Sequence, residues 1–236
     1  MADVTGAPTK GTGAWGQAVL AVALVGALGV GLWTVQETSS ADSVPPPATC
    51  SGGEPEKATG KPGKAPWRVS GAQLCEALNR PGLAEVLGTP GETVKSASGN
   101  GGSLDFSGAK EIDTPSAQVE FGTYTVTLSA TYDGLPVDGS ATLLGADARQ
   151  QTFLGRPAVI YSQRTISISF RLDGSDSESG PGAPARVLSV AQDAKDGGGS
   201  FEVAVWRTDG MTPDDAVLLR VAEKVLPTVP RWADAG

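Results

Sequence analysis

Three patterns of apolar and polar positions follow one another along this chain. From Ala18 to Val35 it reads AVLAVALVGALGVGLWTV, without a charged residue. A helix over this run is about 27 Å long, close to the thickness of a bilayer's hydrocarbon core. Trp15 and Trp33 stand near its ends, at the level amphipathic rings prefer. The pattern predicts a transmembrane helix over residues 15–35, behind a short cytoplasmic tail at 1–14. From Gln36 to Pro66 the apolar residues become few and mostly small. Pro, Gly, Ser, Glu and Lys dominate there, and a segment with so little to bury cannot offset its own ordering entropy. Residues 36–66 are therefore expected to be a disordered stalk, and residues 67–236 a folded extracytoplasmic domain.

Within that domain the period is first helical. Ser70 with Gln73 makes a capping box, and Leu74, Cys75 and Leu78 share one face of the helix behind it. Asn79-Arg80-Pro81-Gly82 stops this helix. Leu83 to Leu87 predicts one further turn, ended by Gly88, and the Gly/Ser-rich stretch from Ser96 to Ser103 reads as a loop. The period then becomes two. Tyr124, Val126, Leu128, Ala130 and Tyr132 alternate with Thr and Ser, which predicts a half-buried strand closed by a turn at Asp133-Gly134. Ala158 to Tyr161 reads as a strand turning at Ser162-Gln163, and Ile166 to Leu172 as the next. An acidic loop is expected from Asp173 to Pro184, then strands over Val187–Ala191 and Phe201–Arg207. A final helix is expected, with Thr212 as cap, Pro213 in the first turn, Asp214 and Asp215 at the dipole's positive end, and Pro227 as stop. Val217, Leu218, Val221, Ala222, Val225 and Leu226 form its apolar stripe. Helix, alternating strands, helix, without a βαβ rhythm, predicts an α+β domain: an antiparallel sheet flanked by N- and C-terminal helices.

Charge adds an orientation. The 236 residues carry a net charge of −8. Residues 1–35 hold one acid, Asp3, and one base, Lys10, so the acidity belongs to the residues beyond Val35. Between Gln36 and Pro55 there is no Lys or Arg, while Glu37, Asp42 and Glu54 lie there. That asymmetry places the N-terminus in the cytoplasm and the domain outside, in a single-pass arrangement at the cell membrane. The apolar run is longer than a signal peptide's core of about 7–15 residues, which favours a retained anchor over cleavage after Ser39-Ser40-Ala41. Ala23, Ala27 and Gly31 share one face of this helix, a spacing that also arises by chance in so Ala- and Gly-rich a run. An acidic domain disfavours nucleic acid as a partner. The partners expected are the lipid bilayer, through residues 15–35, and an envelope protein or ligand.

The candidate chemistry is sparse. Cys50 and Cys75 are the two cysteines, and an even count outside the reducing cytosol predicts a disulfide between them. There is no histidine, which excludes Ser-His and Cys-His nucleophile pairs. Ser107-Gly108-Ala109-Lys110 matches S-x-x-K as a string but lacks that class's companion motifs. GGEPEKATGKP is no phosphate loop, since Gly53 and Gly60 lie too far apart and Pro62 follows Lys61. Asp173, Asp176 and Glu178 share a flexible loop without calcium-loop spacing. Trp67, Trp206 and Trp232 are candidates for a sugar or peptide platform, with ordinary packing as the bland alternative. Catalytic, cofactor-binding and metal-ligating residues are expected to be none, and no cofactor is expected.

The segments WGQAVLAVALVGALGVGLW, CSGGEPEKA, VSGAQLCEALN, TPSAQVEFGTYTVTLSATYDGLP and TFLGRPAVIYSQRTISISFRLDGSDSESGPG together resemble a family of actinobacterial membrane proteins of unknown function. The resemblance spans nearly the whole chain and brings no activity, cofactor or binding residue with it. The Leu-Cys helix, the Leu-Gly-Arg-Pro-Ala segment and the Ala-Glu-Lys-Val-Leu-Pro helix are also similar to actinobacterial envelope lipoproteins. The resemblance implies a non-enzymatic binding or scaffolding role in the cell envelope. The alternative is an envelope hydrolase using carboxylates or a Ser-Lys pair. A deep pocket lined by close, perturbed carboxylates would favour the hydrolase, and a shallow uncharged sheet face the binding domain.

Overall fold

The computed structural model describes residues 46–53, 68–104, 111–169 and 178–232. The predicted transmembrane helix, the tail before it and Trp67 lie outside the described residues. Among the described residues no helix is long and apolar enough to cross a membrane.

The first helix, α1 (Gly71–Leu78), forms as its sequence predicts. The Ser70 hydroxyl accepts from the Gln73 N–H, the Gln73 side chain accepts from the Ser70 N–H, and Asn79 closes the other end. A five-residue turn follows, α2 (Leu83–Leu87), bounded by Gly82 and Gly88. The last helix is α3 (Asp215–Val225). Its cap is Asp214, whose carboxylate accepts from the Ala216 N–H, so Thr212 and Pro213 precede the helix rather than begin it. A 3-10 turn at Leu226–Thr228 carries Pro227 and ends the helical stretch.

The strands among the described residues are β1 (Ser51–Gly52), β2 (Ser96–Asn100), β3 (Ser103–Leu104), β4 (Ile112–Asp113), β5 (Ser116–Glu120), β6 (Tyr124–Thr131), β7 (Arg149–Phe153), β8 (Arg156–Ser169), β9 (Glu178–Ala191) and β10 (Ser200–Arg207). Eight of them make one sheet, in the order β1–β2–β5–β6–β10–β9–β8–β7. The short strands β3 and β4 pair with each other apart from it. Every neighbour in the main sheet is antiparallel except β1 and β2, which run parallel, so the sheet is mixed.

Several elements differ from the sequence reading, each for a local reason. Residues 46–53, assigned to the stalk by composition, belong to the folded unit that starts at Pro46. Cys50 is bonded to Cys75, with Cα atoms 5.9 Å apart, the Ala48 N–H donates to the Val94 carbonyl, and Ser51 and Gly52 pair with Ser98 and Gly99. Ser96–Asn100 is a strand rather than a loop. Its glycine lets α1 lie directly on it: a Cβ on Gly99 would fall 2.4 Å from the Gly71 carbonyl oxygen. Ser162 and Gln163 make no turn; they pair with Arg186 and Ala185, which fuses two expected strands into β8. The expected acidic loop gives up residues 178–184 to β9. β5 and β7 are additional, the second almost wholly polar because it is an edge strand.

The helices cover one face of the sheet. There Leu74, Leu78, Leu218, Val221, Val225 and Leu226 pack on Val119, Val126, Leu128, Leu188, Val203 and Val205, all buried. The alternation of β6 is confirmed, with Tyr124, Val126, Leu128 and Ala130 all turned to this core. On the opposite face a smaller core forms over β8, β9 and β10. Val137, with Ala141, Leu144 and Ala148 from the excursion between β6 and β7, packs there on Val159, Tyr161, Val187 and Ala204.

Candidate functional site

The excursion covers only part of the second face. In the rows Ser98–Gln118–Thr127–Ala204 and Ser96–Glu120–Thr125–Trp206, each residue stands beside the next across β2, β5, β6 and β10. Alternation turns these side chains away from α1. Thr125 and Ala204 are buried, and the rest form a shallow surface of hydroxyl and amide groups with the Glu120 carboxylate among them. A depression of about 230 Å³ there is lined by Ser98, Asn100, Ser116, Gln118 and Thr127. The Gln118 amide donates to the Glu120 carboxylate at 2.6 Å. Trp206, half-buried, marks the border where the excursion begins to cover the sheet.

Under that cover lies a polar pair. The Tyr161 hydroxyl donates to Glu202 Oε2 at 2.6 Å. Burial pushes the Glu202 carboxyl above its ordinary range, against the opposing effect of the Tyr161 bond. Burial, then the neighbouring Glu202 charge, pushes the Tyr161 hydroxyl up as well, so it remains a donor throughout the neutral range. A carboxyl with a raised pKa binds its proton more tightly when folded. Stability therefore falls as pH rises from the ordinary carboxylate pKa of about 4.3 to the raised folded value. Glu202→Gln keeps an acceptor for Tyr161 and removes the charge. Its urea midpoint should exceed wild type at pH 8, and the gap should shrink towards pH 4. An equal gap at both pH values would show that Glu202 does not titrate in this way.

Two clefts open elsewhere. One, of about 370 Å³, is lined by Gly53, Arg68, Ser70, Gly102, Glu111 and Asp113. Its charges are partly spent, because Arg68 forms an ion pair with Asp113 and lies over the Tyr132 ring, 5.0 Å from the centroid. The other, of about 420 Å³, lies between residues 47–49, α2 and Glu92. Desolvation raises the Glu92 carboxyl, but bonds from the Thr123 hydroxyl and N–H outweigh it, and the net shift is downward.

Two further arginines join separate elements. Arg186 on β9 donates to Asp215 at 2.7 Å and to Asp147 at 2.9 Å, joining α3 and the end of the excursion to the sheet. Bonds from Ser162 and Arg186 hold the Asp147 carboxyl below its ordinary range, against some desolvation. Arg207 grips Asp209 and donates to the Tyr124 hydroxyl, which lowers Asp209 to about 2.

Of the residues singled out by sequence, Cys50 and Cys75 are joined as expected. Trp206 and Trp232 do not share a platform, because they belong to the cores on opposite faces of the sheet. Trp232 packs on Phe201, with ring centroids 5.8 Å apart, under the Arg156 guanidinium. Ser107, Lys110, Asp173 and Asp176 lie outside the described residues. Among the described residues no cluster of acidic or cysteine ligands is placed to hold a metal ion. Sequence reasoning missed the Tyr161–Glu202 pair and the buried Arg156, since neither carries a periodic or motif signal.

Fold and surface together define a disulfide-bonded α+β domain with one covered and one partly open sheet face. The chain belongs to a family of unknown function (DUF6215), whose model matches residues 9–147. The matched range runs through the predicted membrane span, both cysteines and strands β1 to β6, and ends before β7. No curated protein and no solved structure matches the chain.

Proposed function

We propose that this protein is a membrane-tethered, extracytoplasmic binding or scaffolding domain of the cell envelope, of the actinobacterial type its segments resemble. In this reading residues 15–35 cross the bilayer once, with the N-terminus in the cytoplasm. The polar residues after Val35 hold the domain clear of the surface, and the open polar sheet face meets an envelope protein or ligand. The observation that carries the reading is the Cys50–Cys75 bridge. Disulfides persist where thiols oxidise, on the outer side of a cell membrane. This one sits at the start of the domain, within reach of the apolar run in sequence.

The sheet face supports binding rather than hydrolysis. Ser98, Gln118 and Thr127 offer neutral donors and acceptors, suited to a partner met through hydrogen bonds. In the charged cleft, Asp113 is already engaged by Arg68. The test combines topology with thiol state. A C-terminal alkaline phosphatase fusion should be active and a green fluorescent fusion dark, and alkylation of the native protein without reductant should modify no cysteine. An inactive phosphatase with two alkylated thiols would overturn the proposal.

A further inference from the structure

β8 and β9 are much longer than their neighbours. β7 pairs with β8 only as far as Arg149↔Ile160, and β10 pairs with β9 only as far as Trp206↔Ala185. Beyond those points the two strands continue as a two-stranded arm to Ser169 and Glu178. An isolated two-stranded ribbon is marginal in water, and each of its edges presents unpaired N–H and C=O groups.

The two edges of the arm differ. Leu154 and Gly155, both with positive φ, make a two-residue turn closed by Phe153↔Arg156. That closing pair exchanges both its bonds, so Arg156, Ala158 and Ile160 turn their backbone groups toward β7, and Val159, Tyr161 and Gln163 toward β9. By the same alternation the backbone N–H and C=O groups of Ser162, Arg164, Ile166 and Ile168 point outward from β8. On β9 the outward residue opposite Arg164 is Pro184. It has no N–H, and the β10 ladder stops one residue short of it. After the irregularity between Arg164 and Ile166, the residue opposite Ile166 is Pro181. Proline thus blocks the β9 edge at both places.

The β8 edge has no such block. Asp147 covers its first outward position by accepting the Ser162 N–H. Arg164, Ile166 and Ile168 follow with N–H and C=O intact, and no proline or glycine lies between Gln163 and Ser169. Ile166 is 80 % exposed, an unusual setting for a large apolar side chain on a strand.

We propose that the β8 edge of this arm pairs antiparallel with the same edge of a second copy of the chain, about a two-fold axis at Ser167. The sequence Thr165-Ile166-Ser167-Ile168-Ser169 is nearly palindromic. Antiparallel pairing about Ser167 sets Ile166 opposite Ile168 of the second copy, Thr165 opposite Ser169, and Ser167 opposite itself. Both Ile166–Ile168 pairs fall at outward positions and each exchanges two backbone bonds. The contact is isologous, so it closes at two copies and does not propagate. Because the arm extends past β7 and β10, the two bodies stay apart and their net negative charges are separated.

Ser167 would form a non-hydrogen-bonded pair with its counterpart, where Cα atoms approach to about 4.5 Å. Full-length Ser167→Cys should therefore give a covalent dimer under mild oxidation, reversed by reductant. Glu223→Cys, on the exposed side of α3, should not. Ile166→Pro removes an outward N–H that β9 does not use. It should weaken dimerisation in light scattering by about tenfold or more, with an unchanged circular dichroism spectrum. If Ile166→Pro fails to fold, Ile166→Lys, which sets a charge on the edge, should give the same loss. A monomeric wild type, no Ser167→Cys crosslink, or a dimer that survives both Ile166 variants would overturn the proposal.

Discussion

Leu218→Ala should lower the unfolding free energy of this domain by about 2–5 kcal/mol, the range for large-to-small changes in packed cores. Leu218 has no exposed surface and lies on the α3 face that meets the sheet, with Val221, Val225 and Leu226 buried beside it. The continuity of that stripe and the cap signals before it predict core rather than a recognition surface. The packing of α3 against β9, β10 and α2 places it in the core. Urea unfolding of residues 46–236, which retain the disulfide, measures the effect. A midpoint shift worth less than about 0.5 kcal/mol, the scale of surface substitutions, would mean that this core relaxes around the loss and α3 contributes little to it. Leu219→Ala, at a half-buried position on the same helix, should cost clearly less and serves as the internal comparison.

The parts of the fold that sequence revealed are those in which local chemistry and tertiary packing agree. Ser70 and Gln73 cap α1 by themselves, and the β6 alternation survives because one face meets helices and the other does not. The failures have a common cause, which is that the deciding partner lies far along the chain. Ser162 and Gln163 resemble turn residues until Arg186 and Ala185 stand opposite them. Ser96–Asn100 has poor strand propensity, and it becomes a strand because only small residues let α1 sit so close. The second core was invisible because Val137, Ala141, Leu144 and Ala148 come from an irregular excursion with no period to detect. Of the site, the disulfide was legible from a count of two, while the open sheet face required the register between strands. That Trp206 and Trp232 do not meet depends on which sheet face each occupies, and that too follows only from the register.

Arg156 is the residue least foreseen from sequence, and truncating it should be among the most damaging changes. It follows the tight Leu154-Gly155 turn and is only 3 % exposed, rare for an arginine. Its guanidinium donates to the main-chain carbonyls of Gln192 and Trp232 and lies 3.6 Å from the centre of the Trp232 ring. One side chain thus ties the β7–β8 turn, the loop after β9 and the segment beyond α3. Burial shifts the guanidinium downward, with Asp193 opposing that, but an arginine remains charged at any physiological pH. Arg156→Ala would leave two carbonyls without their donor, at about 1–3 kcal/mol each, and would remove a stacked cation worth about 0.5–2 kcal/mol. The expected total is about 4 kcal/mol, since such terms do not add fully. Arg156→Lys should recover less than half of it, because an ammonium cannot present a planar fork to two carbonyls while stacking on an indole. The measurement is urea unfolding of both variants, with tryptophan fluorescence as a second probe. Loss of the guanidinium should alter emission from Trp232, whereas Leu218→Ala should change stability with little effect on the native spectrum. Full stability in Arg156→Lys would mean that charge alone, and not the forked geometry, holds the three segments together.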